Sequence, residues 1–327
     1  MQSKNIGILG GSGFVGHHLC LLFANLGHKV YVLSRQPEKY PALQFIPGIS
    51  IVKGDIFDQT TRENFFQSLD TVINLVGILN EAHDNGEDFQ RVHVELTHHV
   101  ILACEHAGVS RLLHMSALNA DKNAGSYYLR SKGEAEEWVL QAGKWGLKVT
   151  CFRPSVIFGK NDSFFNRFAA LLKLSPFAFP LACANTRFAP VYVSDVGRAF
   201  AYALENSETI GKCYDLCGPK SYTLKALLTY TAQTLQLKRI VIGIPDILSR
   251  LQARILGLLP TRPFTMDNYR SLQTDSTCTD NGFDALGIKP RSLETVVPTY
   301  LGNIDTRHPL NKYRRKIPFN HTKKPDA

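Results

Sequence analysis

Two rhythms of apolar residues alternate along the first half of this 327-residue chain. Short unbroken apolar runs predict strands at about 5–10, 29–34, 50–53, 71–76, 111–116 and 148–153, because a strand covered on both faces has no polar side to show. Between them, apolar positions recur every three to four residues and predict helices, including one from Glu87 to His106 and one from Tyr127 to Gly143. Regular alternation with short polar connections implies right-handed crossovers. The expected fold class is therefore α/β, with a doubly wound parallel (Rossmann) sheet. After Arg153-Pro154 the texture changes, and Pro176, Pro180 and Pro190 punctuate mixed strand and helix signals. That change predicts a smaller mixed α/β unit on the substrate side, built from about 154–190 and 215–310. Residues 1–153 plus about 191–214 would form the dinucleotide-binding unit, and 311–327 a flexible basic tail.

The first strand runs directly into Gly10-Gly11-Ser12-Gly13-Phe14-Val15-Gly16. Ile6, Ile8 and Leu9 read as buried strand, and Phe14, Val15, Leu19, Leu22 and Phe23 then recur at helical spacing. Each glycine has its own task in such a corner. Gly10 permits the tight turn, Gly13 lets the backbone approach a pyrophosphate, and Gly16 lets the helix pack closely on the strand. The unbonded N–H groups around Ser12, Phe14 and Val15, at the positive end of the helix, face the phosphates. A glycine turn alone is common; strand, turn and helix together point to a dinucleotide.

Four further positions fit the same ligand. The second strand ends at Ser34-Arg35, about 20 residues beyond the glycines, where an acidic residue would hold the ribose 2′-hydroxyl of NAD. Arg35 instead suits a 2′-phosphate, which predicts NADP(H) in preference to NAD(H). A charge-assisted contact of this kind contributes about 1.5–3 kcal/mol, roughly a 10- to 100-fold preference. Asp55-Ile56 follows the third strand and offers a carboxylate to an adenine amino group. Asn74-Leu75-Val76-Gly77 ends the fourth, where Gly77 lets the backbone lie beside the cofactor.

Tyr128-Leu129-Arg130-Ser131-Lys132 completes the set. Positions i and i+4 share a helix face, so Tyr128 and Lys132 can both reach the nicotinamide ribose. The ammonium would lower the phenol's pKa and hold the ribose hydroxyls, poising Tyr128 as an acid/base. Ser116, at the end of the fifth strand, adds a hydroxyl to this catalytic trio. Tyr127 reads as a packing residue.

Together these residues resemble the extended short-chain dehydrogenase/reductase superfamily, through GGSGFVG, YLRSK and the run Arg153 to Gly159. More narrowly, the chain resembles the atypical branch that contains the nucleotide-binding accessory subunit of mitochondrial complex I and its bacterial relatives. His114-Met115-Ser116-Ala117-Leu118, the run RPSVIFGKNDSFFNRFA at 153–169, Pro190 to Val196 and Leu286 to Glu294 carry that match, which extends to about Leu301. The resemblance implies a bound NADP(H), held by Gly10, Gly13, Gly16, Arg35, Asp55, Tyr128 and Lys132. Two departures bear on catalysis. Active members carry two adjacent hydroxyl residues after the fifth strand, and the second polarises the substrate oxygen. Here Ser116 takes the first place and Ala117 the second; losing such a donor costs about 2.7–4 kcal/mol of transition-state stabilisation. His93 stands where an asparagine normally supports the proton relay. Tyr128 and Lys132 would then persist mainly as ribose anchors. The expectation is a weakly active or specialised NADP(H)-binding protein linked to respiratory or quinone metabolism, with a carbonyl or quinone as candidate substrate. The alternative is a working reductase or epimerase on a sugar-nucleotide or other carbonyl, with Tyr128 as acid/base and Lys160, Arg167, Lys173 and Arg187 as cations for a diphosphate.

Composition and charge narrow the setting. At 44% hydrophobic and 20% charged residues the chain is ordinary for a globular protein. No apolar run reaches the length of a membrane span, and a first strand beginning by about Lys4 leaves no room for a presequence. Seven cysteines form no CxxC and lie mostly in apolar runs, which suits a reducing cytoplasm better than a disulfide scaffold. No metal ligand set is expected. Of the net charge of +9, the segment 311–327 carries six cations against Asp326 alone. It reads as a solvated terminus, or as an arm drawn to anionic lipid at the inner face of a membrane; nucleic acid is not an expected partner. Within Pro245–Pro260, Ile247, Leu248, Leu251, Ile255, Leu258 and Leu259 share one side of a helix. Such a stripe reads as core, with an interfacial or docking helix as the alternative. Asp162 and Asp195 read as helix N-terminal charges rather than catalytic acids.

Overall fold

The computed structural model describes residues 2–301, so the basic segment 311–327 lies outside the described residues. Seven strands form one sheet: β1 (Asn5–Leu9), β2 (Lys29–Ser34), β3 (Ile49–Lys53), β4 (Thr71–Asn74), β5 (Arg111–Met115), β6 (Lys148–Pro154) and β7 (Lys212–Leu216). Their order is β7-β6-β5-β4-β1-β2-β3, and every pairing is parallel. β1 lies between β4 and β2, so the winding reverses there and a crevice opens beyond the strand ends. The first six strands fall within two residues of the sequence expectation. β7 is the addition, an edge strand whose half-exposed Cys213 and Asp215 interrupt its apolar signal.

Helices cover both faces. Phe14–Asn25 and Val193–Glu205 share one side, packing Leu19, Phe23, Val196 and Phe200 into a core with β1 and β2. The other side buries Phe66 of Gln59–Phe66, Val100 and Cys104 of Leu96–Ala107, and Val139 of Tyr127–Lys144. The helix expected from Glu87 to His106 is present but not uniform. A π-helical turn, Gln90–Glu95, separates Glu87–Phe89 from Leu96–Ala107. Such turns recur where a helix must aim a side chain, and this one carries His93. A third core gathers Phe158, Phe165, Leu172, Leu227, Leu228 and Val297, all from residues after the sixth strand. Phe283 and Leu286 return to the main sheet's core, as does Leu216.

Two expectations are overturned. Cys217 and Cys278 form a disulfide across 61 residues, with Cα atoms 6.0 Å apart. Tertiary contacts bring them together: Asn281 bonds both the N–H and the carbonyl of Cys217, and Ser155 bonds Ser276. Nothing in the local spacing of the cysteines could show this. The apolar stripe of Asp246–Gly257 is not core either. Ile247 is 80% exposed, whereas Ser249 and Ala253 face the protein at 1% and 0%.

His114 on β5 and His93 in the π-turn are both buried. Burial pushes His114 down to about 3 and holds His93 well below the ordinary imidazole value, with the Lys132 ammonium adding to both. Each stays neutral in the fold but takes a proton near 6.5 when unfolded. Stability present above pH 6.5 is therefore lost as the pH falls. Urea denaturation should show a lower midpoint at pH 5.5 than at pH 7, and His114→Gln should flatten that dependence. Equal slopes in both proteins would contradict the assignment.

Candidate dinucleotide site

β1 ends at Leu9 and the chain turns at Gly10 with φ +77°. The Gly13 N–H closes the turn on the Gly10 carbonyl at 3.0 Å. A Cβ at residue 16 would lie 2.2 Å from that same carbonyl oxygen, so the helix can approach only as glycine. Helix Phe14–Asn25 begins with no side-chain cap and no acid in its first turn. Its leading N–H groups at Ser12, Phe14 and Val15 are thus left for an external acceptor, which fits a phosphate. The Phe14 ring packs toward Gly159, 3.3 Å from where a Cβ of that residue would sit.

The ends of β2 and β3 would meet the adenosine end of such a ligand. Ser34 is buried, and its hydroxyl accepts from the Gln36 N–H at 3.3 Å, turning the chain outward. Arg35 follows as an exposed side chain, and among the described residues no carboxylate lies within ion-pair distance of it. Asp55 spends Oδ1 on the Phe57 N–H at 3.1 Å, leaving its second oxygen for a ligand donor. Arg62 anchors the Ile56 carbonyl at 2.8 Å.

The nicotinamide end would lie where β4, β5 and helix Tyr127–Lys144 converge. Val76 donates its N–H to Asn74 Oδ1 at 3.1 Å, and the exposed Gly77 follows. A Cβ on Gly77 would lie 3.1 Å from Lys132 Nζ and 3.3 Å from His93 Nε2. Only a glycine lets the chain pass this close to both groups, beside which the flat end of a dinucleotide would lie. Ser116 Oγ is buried beside β5 with no partner among the described residues, an orphaned hydroxyl that a bound ribose or carboxamide would satisfy.

The proton chemistry differs from the expectation. Lys132 is buried, its Nζ donates to the Met115 carbonyl at 3.2 Å, and burial lowers it to about 8. Tyr128 keeps part of its surface accessible, but its surroundings push the phenol up to about 12. Burial sets the direction for both groups, the reverse of the predicted lowering of the phenol. Phe89 and His93 flank the Tyr128 ring edge-on at 5.9 and 5.7 Å. His93 Nε2 accepts from the Ile78 N–H at 3.1 Å. The imidazole proton is therefore assigned to Nδ1, which lies 2.8 Å from Ser131 Oγ; that hydroxyl in turn donates to the Tyr128 carbonyl at 2.9 Å. His93 braces the loop after β4 and has no proton left to relay.

One residue of the site escaped the sequence. Asp267 is buried, and its carboxylate accepts from the N–H groups of Tyr127 and Tyr128 at 2.6 and 3.1 Å. It caps the helix that carries Tyr128 and Lys132, together with Ser126 Oγ on Leu129 N–H at 3.2 Å. The capping box of Thr265 and Asn268 marks a helix start in the sequence but says nothing of a target 140 residues away. Tyr127 packs, under the guanidinium groups of Arg130 and Arg270 at 4.6 and 5.3 Å. Asp195 lies in the first turn of its helix and pairs with Arg198, and Asp162 accepts from the Asn166 N–H. Arg167 and Arg187 are bonded to the Arg262 carbonyl and Ser221. A cavity of about 480 Å³ opens between residues 119–125 and Arg270–Thr274, apart from the glycine corner.

Residues 6–217 match the NAD dependent epimerase/dehydratase family. A curated relative, NADH dehydrogenase (ubiquinone) 1 alpha subcomplex subunit 9 of rat mitochondria, is 29% identical over 297 residues, 88% of this chain and 77% of its own. The fold is shared with an epimerase from Methanothermobacter thermautotrophicus, at TM-score 0.75, 16% identity and 95% coverage of both chains. It is shared also with the Bordetella bronchiseptica enzyme WbmG in complex with NAD, at TM-score 0.70 and 17% identity over 96% of this chain and 95% of that one. With its NAD(P)-binding Rossmann fold and its relationship to a complex I subunit, this chain belongs to the NAD dependent epimerase/dehydratase family.

Proposed function

We propose that this protein holds NADP(H) tightly and turns it over slowly or on a specialised substrate, in the setting of respiratory or quinone metabolism. One observation carries the reading: the cradle is complete while the proton relay is committed elsewhere. Gly10, Gly13 and Gly16 let the turn and the helix close tightly on β1, and Gly77 lets the chain pass beside Lys132 and His93, which leaves the uncapped helix start facing the crevice. Lys132 Nζ, by contrast, is turned to Met115 O and His93 Nε2 to Ile78 N, and Ala117 supplies no hydroxyl. When bound, a nicotinamide dinucleotide supplies hydride chemistry. The chain's own contribution is to bind phosphates at the corner, to hold the ribose between Lys132 and the Tyr128 phenol, and to exclude water with Phe89 and His93. The kinship with the rat complex I subunit supports the respiratory setting; a place in the cytoplasm or at the inner face of a membrane is part of the same proposal.

A second reading keeps one observation on its side. Tyr128 and Lys132 retain their spacing one turn apart on helix Tyr127–Lys144, as a working reductase or epimerase with Tyr128 as acid/base requires. Stopped-flow absorbance of NADPH with quinones, aldehydes and keto-sugars separates the two. The first reading expects no rapid oxidation, and expects Tyr128→Phe to weaken NADPH binding by roughly 2- to 10-fold through the loss of one ribose hydrogen bond. Fast turnover abolished by Tyr128→Phe would establish the second.

The preference for NADP(H) rests on Arg35. Its exposed guanidinium at the end of β2 suits a 2′-phosphate, and its removal should cost roughly 10- to 100-fold in affinity. Titration calorimetry of Arg35→Ala should show that loss for NADPH and little change for NADH. A loss shared equally by both would remove Arg35 from the 2′-phosphate site, and mass spectrometry of ligand released from the purified protein would show which dinucleotide is carried.

A further inference from the structure

Helix Asp246–Gly257 is turned the wrong way round for a soluble surface. Its small residues, Ser249 and Ala253, are buried, while Ile247, Leu248, Leu251 and Ile255 are 80, 48, 50 and 55% exposed. Leu258, at 87%, and Leu259, at 44%, extend the same face past the helix end. At 100° per residue these six aliphatic side chains span an arc of about 120°. Gln252 Nε2 donates to the Pro180 carbonyl at 3.2 Å, joining the helix to the parallel pair Ala178–Leu181 and Ile240–Gly243. That pair and its lead-in add Leu174, Phe177, Ile240 and Ile242, all at least half exposed. Ten of the sixteen exposed large apolar residues of the described chain thus come from 174–259.

Charge decides what this face meets. The segments that build it, 171–181 and 236–262, contain Lys173, Lys238, Arg239, Arg250, Arg254 and Arg262 against Asp246 alone. Asp246 is already paired with Arg250 at 3.0 Å. A second copy of the chain would bring like charges together, and the basic segment 311–327 would be repelled for the same reason. Exposed aliphatics edged by cations match a surface with an apolar interior and anionic headgroups. Among the described residues no helix is long and apolar enough to cross a membrane, so the helix would lie on the surface.

We propose that helix Asp246–Gly257, with the adjoining strand pair, is a docking face for an anionic phospholipid bilayer. Flotation of the full-length protein with phosphatidylcholine vesicles, with and without phosphatidylglycerol, tests this. Binding should require the anionic lipid and weaken with salt. The double variant Leu251→Glu, Ile255→Glu changes exposed side chains remote from the dinucleotide site. It should retain NADPH affinity and lose at least about 30-fold in vesicle affinity, and Arg254→Glu should lose about 10-fold. A full-length variant with the six lysines and arginines of 311–327 changed to alanine should keep most of its binding. Loss in that variant with no loss in the helix variants would overturn the proposal. So would absence of binding to any vesicle, or a dimer in sedimentation equilibrium that Leu251→Glu, Ile255→Glu dissociates.

Discussion

The site depends on one backbone-against-backbone contact. The first helix can begin where it does because residue 16 has no side chain to meet the Gly10 carbonyl, which a Cβ would approach to 2.2 Å. That closeness aims an uncapped helix N-terminus at the crevice beside β1, at the point where the sheet order reverses. Everything else is measured from there. β2 ends with Arg35 on one side, and β4 and β5 end with Gly77 and Ser116 on the other. The fold thus provides a fixed length of crevice, cationic at one end and lined by buried hydroxyl, imidazole and ammonium groups at the other.

At that second end, burial rather than charge sets the chemistry. A phenol and an ammonium one helical turn apart are expected to favour the phenolate. Here desolvation acts on both partners, raising Tyr128 to about 12 and lowering Lys132 to about 8. The Met115 carbonyl then competes for the ammonium, and the Ile78 N–H takes the only lone pair His93 has to offer. The same residue types that make a relay in a wetter, better-donated site make a rigid bracket here. Retention of the Tyr–Lys spacing is therefore informative about ribose binding and much less so about turnover.

Legibility in the sequence followed the range of each interaction. β1, β2, β4, β5 and β6 could be read from composition because a strand buried in a parallel sheet is apolar along most of its length, and the edge strand β3 because Ile49, Ile51 and Val52 keep an apolar signal despite its exposed residues. β7 could not, since Cys213 and Asp215 lie half exposed at the sheet edge. The glycine corner and the Tyr128–Lys132 pair were legible because their partners lie within a few residues or at strand ends already located. Asp267 was not, as its cap spans 140 residues, nor was Cys217–Cys278, which spans 61. The apolar stripe of 246–257 shows a subtler limit. Periodicity establishes that a helix has a face, but only the depth of packing around Ser249 and Ala253 shows which face is inside.

Those long-range contacts also relate the two ends of the molecule. Arg250 of the exposed apolar helix bonds the Tyr269 hydroxyl at 3.0 Å, and Tyr269 in turn bonds Asp246. Tyr269 belongs to the short helix Met266–Ser271, two residues from Asp267, whose carboxylate caps the helix of Tyr128 and Lys132. The Arg250–Asp246–Tyr269 cluster lies partly at the surface, whereas the Asp267 cap is buried; the path relates orientations, and coupling in the allosteric sense would need an element with two states. A bilayer that fixed the direction of helix Asp246–Gly257 would therefore fix the direction of the Tyr128 helix and of the dinucleotide crevice with it. Surface attachment and cofactor binding, read separately, become one geometric statement about which way the nicotinamide end faces.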